Sequence, residues 1–284
     1  MNERRADSAS GQDSGLPVHN NPASTAARNG SAGRAKRIPR AELRARVLDA
    51  AQELLADGGL SVGLHQLNME ELIRRVGVPR SSAFAAFGGK DELLTQLMLR
   101  LLEPSEPRTL GYSPGTDELA TAVFRTYADR IRNADGDIDP EGADAVLKES
   151  IRVGLARNVV DTMQSTEWRT YMALSVSVSS LPPAQQPRVR EALRLAQMRF
   201  LEQMADLYRS VLERVGRRPS EGVTWLQIAA VGTSLVEGMA SKRLIGIDEA
   251  HGTALRPGID GEPVEWETTA LAFWKMLNGL THRP

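Results

Sequence analysis

Apolar residues recur every three or four positions along most of this sequence, and that helical period is the feature that most restricts its fold. The first such stripe follows Pro39 and consists of Leu43, Val47, Ala51, Leu54 and Leu55. It ends at Gly58-Gly59, where glycine tolerates the left-handed conformation that closes many helices. No sustained alternation of apolar and polar residues competes with this period. The sequence therefore predicts an all-α fold.

Three shorter helices are predicted to follow the first one. The second helix covers about residues 69–76 and stops at Gly77. The third runs from about Pro79 to Phe87, where Gly88-Gly89 breaks the chain, and a fourth begins at Lys90. Two short helices joined by a glycine turn form a helix-turn-helix, whose second helix lies in the major groove of DNA.

The third helix has an apolar edge and another edge with almost no side-chain bulk. Ala83 and Phe87 are four residues apart and supply the inward edge. The residues placed elsewhere around the helix are Arg80, Ser81, Ser82, Ala85 and Ala86. Small residues let a backbone approach a large partner, and serine hydroxyls can donate to phosphates or base edges. A glycine-centred turn also joins helices in many other proteins, so this motif alone leaves DNA binding open.

Positive charge is concentrated near the N-terminal end, although the formal net charge of the whole chain is −1. The segment RAKRIPRAELRAR, residues 34–46, holds six basic residues and one acid. Such an arm can neutralise phosphates and release counterions, and it is equally typical of a solvated linker leading into a helix. Both interpretations stay open for this segment.

The chain is expected to divide into three parts. Residues 1–37 are dominated by small polar residues and are predicted to be a disordered tail with a basic end. Residues 38–104 form the predicted helix-turn-helix domain, and residues 105–284 form a larger helical domain. The larger domain's helices are predicted at about 116–134, 142–163, 165–180, 185–215, 220–244 and 264–280. A long polar loop is expected between the last two.

The sequence contains none of the motifs that would indicate an enzyme. The chain contains no cysteine, and its four histidines lack the spacing of metal ligands. No phosphate-binding or dinucleotide-binding glycine motif is present, and Ser81 and Ser82 lack the context of a nucleophile. We expect no catalytic residues, no cofactor and no metal. No apolar run could cross a membrane and the first residues lack a secretory h-region, so we expect a cytoplasmic protein.

The stretch NMEELIRRVGVPRSSAFAAFGGKDELL resembles the N-terminal domain of TetR-family transcriptional regulators. The positions that match or nearly match the usual pattern of that family are Gly77, Val78, Arg80, Ser82, Phe84, Phe87, Lys90, Asp91, Leu93 and Leu94. The close resemblance covers about residues 40–102. The rest of the chain is similar only in its helical architecture.

The resemblance implies a set of DNA-binding residues. Arg80, Ser81 and Ser82 fall where the family reads base edges, and Lys90 falls where an amine at a helix start meets a phosphate. The full set of expected DNA-binding residues is Arg37, Arg40, Arg80, Ser81, Ser82, Phe84, Ala85 and Lys90.

The sequence also departs from the family at this helix. Phe84 stands at the family's tyrosine and lacks a hydroxyl to donate to phosphate, and the next aromatic and histidine are Ala85 and Ala86. Fewer side chains would therefore reach DNA than is usual. Affinity is expected to depend on Arg80, Lys90 and the basic arm.

The resemblance further implies a ligand-sensing and dimerising role for residues 105–284. The segment 225–246 and the last helix resemble the two helices that build the family's two-fold four-helix interface. The bulky residues assigned to that last helix are Trp266, Leu271, Phe273, Trp274 and Leu277. The alternative is that both helices are buried in the core of one chain.

A ligand pocket is expected among the central helices. Its candidate residues are Trp168, Tyr171, Met172, Phe200, Met204 and Tyr208. Aromatic and methionine residues at helical spacing are also typical of an ordinary core, so the pocket and the core remain alternatives. A pocket of this composition would favour a hydrophobic small-molecule effector.

Together these features predict a homodimeric, ligand-responsive transcriptional regulator, a repressor that binds a double-stranded DNA operator. The alternative is a helical dimeric small-molecule sensor or interaction protein whose DNA-reading helix has degenerated.

Overall fold

The computed structural model describes residues 38–58, 69–103 and 112–284 of the chain. The tail expected at residues 1–37 lies outside these ranges. Residues from Pro39 to Pro284 form one compact unit. The domain boundary expected between residues 104 and 105 stays a prediction. Within the described ranges, no helix combines the length and apolar character needed to cross a membrane.

The described part of the chain is predominantly helical, which confirms the all-α prediction. Its helices are α1 (Arg40–Gly58), α2 (Met69–Val76), α3 (Arg80–Phe87), α4 (Lys90–Leu102), α5 (Pro114–Thr126), α6 (Pro140–Gln164), α7 (Thr166–Ser177), α8 (Gln186–Arg214), α9 (Trp225–Leu244) and α10 (Thr268–Leu280). The bounds predicted for the first four helices agree closely with these. A 3-10 turn at Ala128–Arg130 follows α5, which is shorter than predicted.

Helices α1 to α4 pack together around α1. The predicted stripe on α1 is buried at Leu43, Val47 and Ala51, while Leu54 is half-buried. Opposite it lie the buried side chains of the other helices, which include Leu72, Ala83, Phe87, Leu93, Leu94, Leu97 and Met98. This cluster holds α3 by one edge only.

The larger core lies between α5, α6, α8, α9 and α10. Helix α6 is central, because it packs against α5, α9 and α10. The buried side chains of this core include Phe124, Leu147, Ile151, Leu212, Ile228, Phe273, Trp274 and Leu277. Four of the five bulky residues assigned to a dimer interface, Trp266, Phe273, Trp274 and Leu277, are buried inside this single chain. These four side chains therefore belong to the core of one chain, which was the alternative to a dimer interface.

The prediction of a long loop between the last two helices is wrong, because the chain forms a β-hairpin there. Strands β2 (Thr253–Pro257) and β3 (Pro263–Glu267) pair antiparallel. In their turn, the Gly258 amide donates to the Glu262 carbonyl at 2.7 Å. The strands are short and mostly exposed, Pro257 ends β2 and Pro263 begins β3, so they carry little of the alternation that marks a strand. A smaller pair joins β1 (Arg218–Pro219) to β4 (Thr281–His282).

A buried arginine ties the end of α8 to α6 and α10. The Arg217 side chain is 7% exposed, lies 3.0 Å from an Asp144 carboxylate oxygen and donates to the side chains of Asn278 and Thr281. Burial alone would raise the pKa of Asp144, but the hydrogen bonds and charges of Arg283 and Arg217 hold that pKa below its usual value. These contacts fix helices that also wall the cavity described below.

Replacing Arg217 by alanine should lower the free energy of unfolding by about 3 kcal/mol or more, because it breaks a mostly buried ion pair. The matched control is Arg209→Ala, which removes an exposed ion pair to Asp206 and should cost about 0–1 kcal/mol. Urea unfolding of the two variants and the parent measures both values. Equal losses would show that the Arg217 cluster contributes no more than a surface pair.

Candidate nucleic-acid interface and ligand cavity

Helix α3 is exposed along the edge that the sequence predicted to be bare. Gly77 takes φ 70° in the turn from α2, and Pro79 precedes the first residue of α3. The exposed residues of α3 are Arg80, Ser81, Ser82 and Ala85. Ala83 and Phe87 are buried, as predicted. The structure thus brings four of the expected DNA-binding residues onto one accessible surface, which we call the α3 face.

The expectation that Ala86 belongs to the bare edge is wrong. Ala86 is 4% exposed, and its carbonyl accepts a hydrogen bond from Arg40 Nε at 2.9 Å. Positions 83, 86 and 87 form a spacing of three and four residues, so they share one side of the helix. The inward edge is one residue wider than the sequence suggested.

Arg40 lies at the start of α1, beside the C-terminal end of α3. Its hydrogen bond satisfies a carbonyl in the last turn of α3, where carbonyls lack partners within the helix. Nearby, the Arg44 guanidinium carbon is 5.2 Å from the ring centroid of Phe87. Arg40 thus has a structural contact, and its DNA contact stays a prediction. Arg37 lies outside the described residues.

Phe84 is half-buried and contacts the neighbouring arginine. The Arg80 guanidinium carbon lies 5.4 Å from the ring centroid of Phe84. A cation at this distance from an aromatic face is stabilised by about 0.5–1 kcal/mol at an exposed site. Phe84 has no hydroxyl for a phosphate, but its ring orients the Arg80 side chain at the edge of the α3 face.

The glycine pair after α3 sets the position of Lys90. The amides of Gly88 and Gly89 donate to the Phe84 carbonyl at 2.9 and 3.1 Å, and Gly88 has a left-handed φ of 85°. This closes α3 and starts α4 at Lys90, which is exposed. A lysine at a helix start adds its charge to amides that already favour an anion.

Residues 47–97 match the sequence model of the tetR family of bacterial regulatory proteins. This segment is therefore similar to the N-terminal segment of tetR-family regulators. The matched segment contains the α3 face and Lys90. The match supports a role in DNA-binding transcription regulation. No curated protein sequence matches this chain.

Several solved structures are similar to this chain. One is described as a TetR-family transcriptional regulator from Mesorhizobium loti MAFF303099, with 11% identity over 84% of this chain and 95% of that one, and a TM-score of 0.41. NalD of Pseudomonas aeruginosa, the secondary repressor of the MexAB-OprM multidrug efflux pump, has 18% identity over 85% and 98%, with a TM-score of 0.38.

PfmR, a TetR family transcriptional regulator from Thermus thermophilus, has 18% identity over 82% of this chain and 96% of its own, with a TM-score of 0.34. All three scores are low. The family assignment depends on the match over residues 47–97.

A cavity of about 100 Å³ lies between α5, α6, α8 and α10. Its walls are mostly apolar and include Ala120, Phe124, Leu147, Ile151, Leu155, Met204, Leu207, Tyr208, Phe273 and Leu277. We call it the main cavity. Two of the six pocket residues predicted from the sequence, Met204 and Tyr208, line it. The walls from α5 and α6 were missed because their small and aliphatic residues look like ordinary core in a sequence.

A smaller hollow of about 10 Å³ adjoins the main cavity, and the two share Tyr112, Asn158, Met204 and Tyr208 as lining residues. We call it the side hollow. Phe200, a third predicted pocket residue, lines it. The other candidates lie elsewhere: Trp168 is buried against Val159, Val236 and Ala240, and neither Tyr171 nor Met172 lines either cavity.

Glu237 of α9 also lines the side hollow, and it was not among the pocket residues predicted from the sequence. Burial raises the pKa of Glu237 to about 6, and a hydrogen bond with Gln197 opposes that rise. The Glu237 Oε1 atom is buried and has no hydrogen-bond partner among the described residues. A signal was present, because Glu237 is the one charged residue between Trp225 and Ser241 in a segment rich in apolar residues.

Within the described ranges, no cluster of three or more histidine, cysteine or acidic residues could hold a metal ion.

Replacing Arg80 by alanine should weaken operator binding by about 1–3 kcal/mol, the discrimination that a good arginine–base contact supplies. Fluorescence anisotropy with operator DNA recovered from bound genomic fragments measures the change. Arg209→Ala removes the same charge from a distant exposed position on α8 and should leave affinity unchanged. An equal loss in both variants would mean that only overall charge matters.

The raised pKa of Glu237 should make the free energy of unfolding depend on pH. Its folded pKa is raised above the usual 4.5 to about 6, so its stabilising contribution is complete below about pH 4.5 and is lost as the pH rises through about 6. The unfolding free energy of the parent should fall by about 2 kcal/mol relative to Glu237→Gln between pH 4 and pH 7.5. Urea unfolding at both pH values tests this, and a constant difference between the two proteins would contradict it.

Proposed function

We propose that this protein is a homodimeric, ligand-responsive repressor of the TetR family that binds a double-stranded DNA operator in the cytoplasm. The observation that carries the proposal is the arrangement of α8. The N-terminal part of this helix contacts α4 of the DNA-binding segment, and its C-terminal half lines both cavities. The same helix therefore meets the site for an effector and the support of the α3 face.

The α3 face is the proposed reading surface. Arg80, Ser81 and Ser82 contact base edges, and the absence of bulk at Ala85 lets the helix backbone enter the major groove. Lys90 contacts a phosphate beside the reading helix. Phe84 holds Arg80 in place, while Arg37 and Arg40 add phosphate contacts from the N-terminal side.

The contact between α4 and α8 includes one exposed ion pair and one hydrogen bond from a buried threonine. The Arg188 guanidinium lies 3.0 Å from the Glu92 carboxylate, and Thr95 of α4 hydrogen-bonds the Gln185 side chain just before α8. From Arg188 to Met204 the helix rises about 24 Å, at 1.5 Å per residue. A displacement of α8 at the cavity can therefore reach α4 through one rigid element.

The proposed regulation follows from this connection. An effector in the cavity shifts α8 and α4, and the two reading helices of the dimer leave the separation that matches a palindrome. Such an effector must bind the released conformation more tightly than the DNA-bound one, because a ligand with equal affinity for both shifts nothing.

The proposed dimer uses the outward side of α9. With Phe273, Trp274 and Leu277 of α10 buried in the chain, the accessible positions on α9 include Val231, which is 47% exposed, and Ser234, one turn on. Half-buried Gly238 continues this stripe, and small residues let two helices approach closely. A two-fold dimer presents two α3 faces to successive turns of DNA.

A second candidate function is supported by the chemistry of the α3 face. Ala85 has no polar group for DNA and Phe84 has no hydroxyl, so a helical sensor or interaction protein with a degenerate reading helix is the alternative. Specific, salt-dependent binding of one DNA sequence separates the two functions.

Capture of genomic fragments by the purified full-length protein should recover a palindrome, with half-sites one helical turn or a multiple of it apart. Light scattering should give the mass of a dimer for the free protein. Recovery of random DNA only would favour the degenerate sensor, and a monomeric mass would contradict the proposed dimer.

The Glu92–Arg188 pair should matter for coupling more than for binding. Replacing Glu92 by glutamine should leave operator affinity and ligand affinity nearly unchanged. The coupling free energy between ligand binding and operator binding should fall by about 0.5–2 kcal/mol, so that the ligand releases less DNA. Operator binding with and without ligand measures this energy. The control is Glu191→Gln, which alters an exposed pair within α8. Unchanged coupling in Glu92→Gln would exclude this contact from the response.

A further inference from the structure

The side hollow contains a carboxylate whose charge is not balanced by a neighbouring cation. Its described lining residues are Tyr112, Asn158, Thr162, Phe200, Met204, Tyr208, Thr233, Val236 and Glu237, and none of these is lysine or arginine. The Glu237 Oε1 atom is buried without a hydrogen-bond partner in the described structure, and Gln197 also has a buried oxygen without one. A buried carboxylate in this state costs stability unless a positive partner arrives.

The titratable groups around Glu237 do not supply that partner. Tyr112 and Tyr208 line the hollow, and Tyr171 of α7 lies close enough for its pKa to be raised by the Glu237 charge, in addition to a larger effect of burial. All three are neutral or negative when they titrate. The pKa of Glu237, raised to about 6 by burial, still leaves the carboxylate mostly ionised at neutral pH.

The sizes of the two cavities suggest how a ligand would be divided between them. The side hollow of about 10 Å³ is close to the space that one water molecule needs, which also suits a single ammonium group. The main cavity of about 100 Å³ is about ten times larger and mostly apolar. The two cavities adjoin at the four lining residues that they share, so the head and the body of one molecule would occupy neighbouring spaces.

The remaining groups fit a positively charged head. Phe200 and Tyr208 bring aromatic rings to the wall of the side hollow, and a ring face attracts a cation. Asn158, Thr162 and Thr233 bring oxygens that can accept from an ammonium group. Charges of both signs, Asp117 and Arg214, line the main cavity, so the acidic character belongs to the side hollow.

We infer that the effector is a small amphiphilic amine, whose ammonium group pairs with Glu237 in the side hollow while its apolar body fills the main cavity. This inference rests on the proposed ligand-binding role of the cavity and narrows the effector from a hydrophobic molecule to a cationic one. Glu237 is then the residue that distinguishes charged ligands from neutral ligands of the same shape.

The test compares 2-phenylethylamine with 2-phenylethanol, which has nearly the same shape and no charge. Isothermal titration of the full chain at pH 7.5, without DNA, should show the amine binding the parent roughly tenfold or more tightly than the alcohol, as expected for a charge-assisted hydrogen bond. Glu237→Gln should remove this preference, and Glu237→Asp should retain part of it. The control Glu202→Gln, an exposed acid on α8, should change neither affinity.

Each outcome decides the inference. Equal affinity for the amine and the alcohol, or no binding of either, overturns it, and so does an amine preference that survives in Glu237→Gln. The parent measurement alone tests the charge preference if Glu237→Gln fails to fold.

Failure of the proposed function would look different. If the amine binds through Glu237 but does not release operator DNA, the inference stands and the proposed regulation fails. If neutral ligands release the operator and amines do not, the regulation stands and the inference fails.

Discussion

The burial of one edge of α3 is the constraint on which the rest of the structure depends. Ala83, Ala86 and Phe87 pack inward, and the hydrogen bond from Arg40 fixes the last turn against α1. Because the helix is held from one side only, the opposite edge stays accessible and carries little bulk. A helix that reads DNA needs this combination, because the protein must hold it rigidly on one side while the other side is accessible to the major groove.

In the larger part of the molecule, helix α8 connects the polar contact with α4 to the apolar cavities. Helix α8 begins beside α4 and continues along the cavities, so its position depends on both. The cavity walls are apolar except at a few points, and Glu237 is the most consequential of these because one oxygen of its carboxylate is buried without a hydrogen-bond partner in the described structure and no lysine or arginine lines the side hollow there. A site that is apolar over most of its surface with one buried charge can select ligands by charge as well as by shape.

Periodicity in the sequence predicted most of the helices, and burial confirmed the inward positions Leu43, Val47 and Ala51. It failed at β2 and β3, because short exposed strands bounded by proline show almost no alternation. The prediction that Ala86 lies on the bare edge was wrong. In a helix of eight residues, spacing alone does not decide whether a residue at the border between the inward and the exposed edge is buried. Glu237 was missed because the contacts that bury it come from helices distant in the sequence.

The most direct test of the central claim is to fill the bare edge. Ala85→Trp adds bulk to an exposed position of the α3 face, so the protein should fold normally and lose operator affinity by roughly tenfold or more through steric exclusion from the groove. Ser210→Trp, at an exposed position on α8, is the matched control and should bind as the parent does. Unchanged affinity in a folded Ala85→Trp variant would contradict the account.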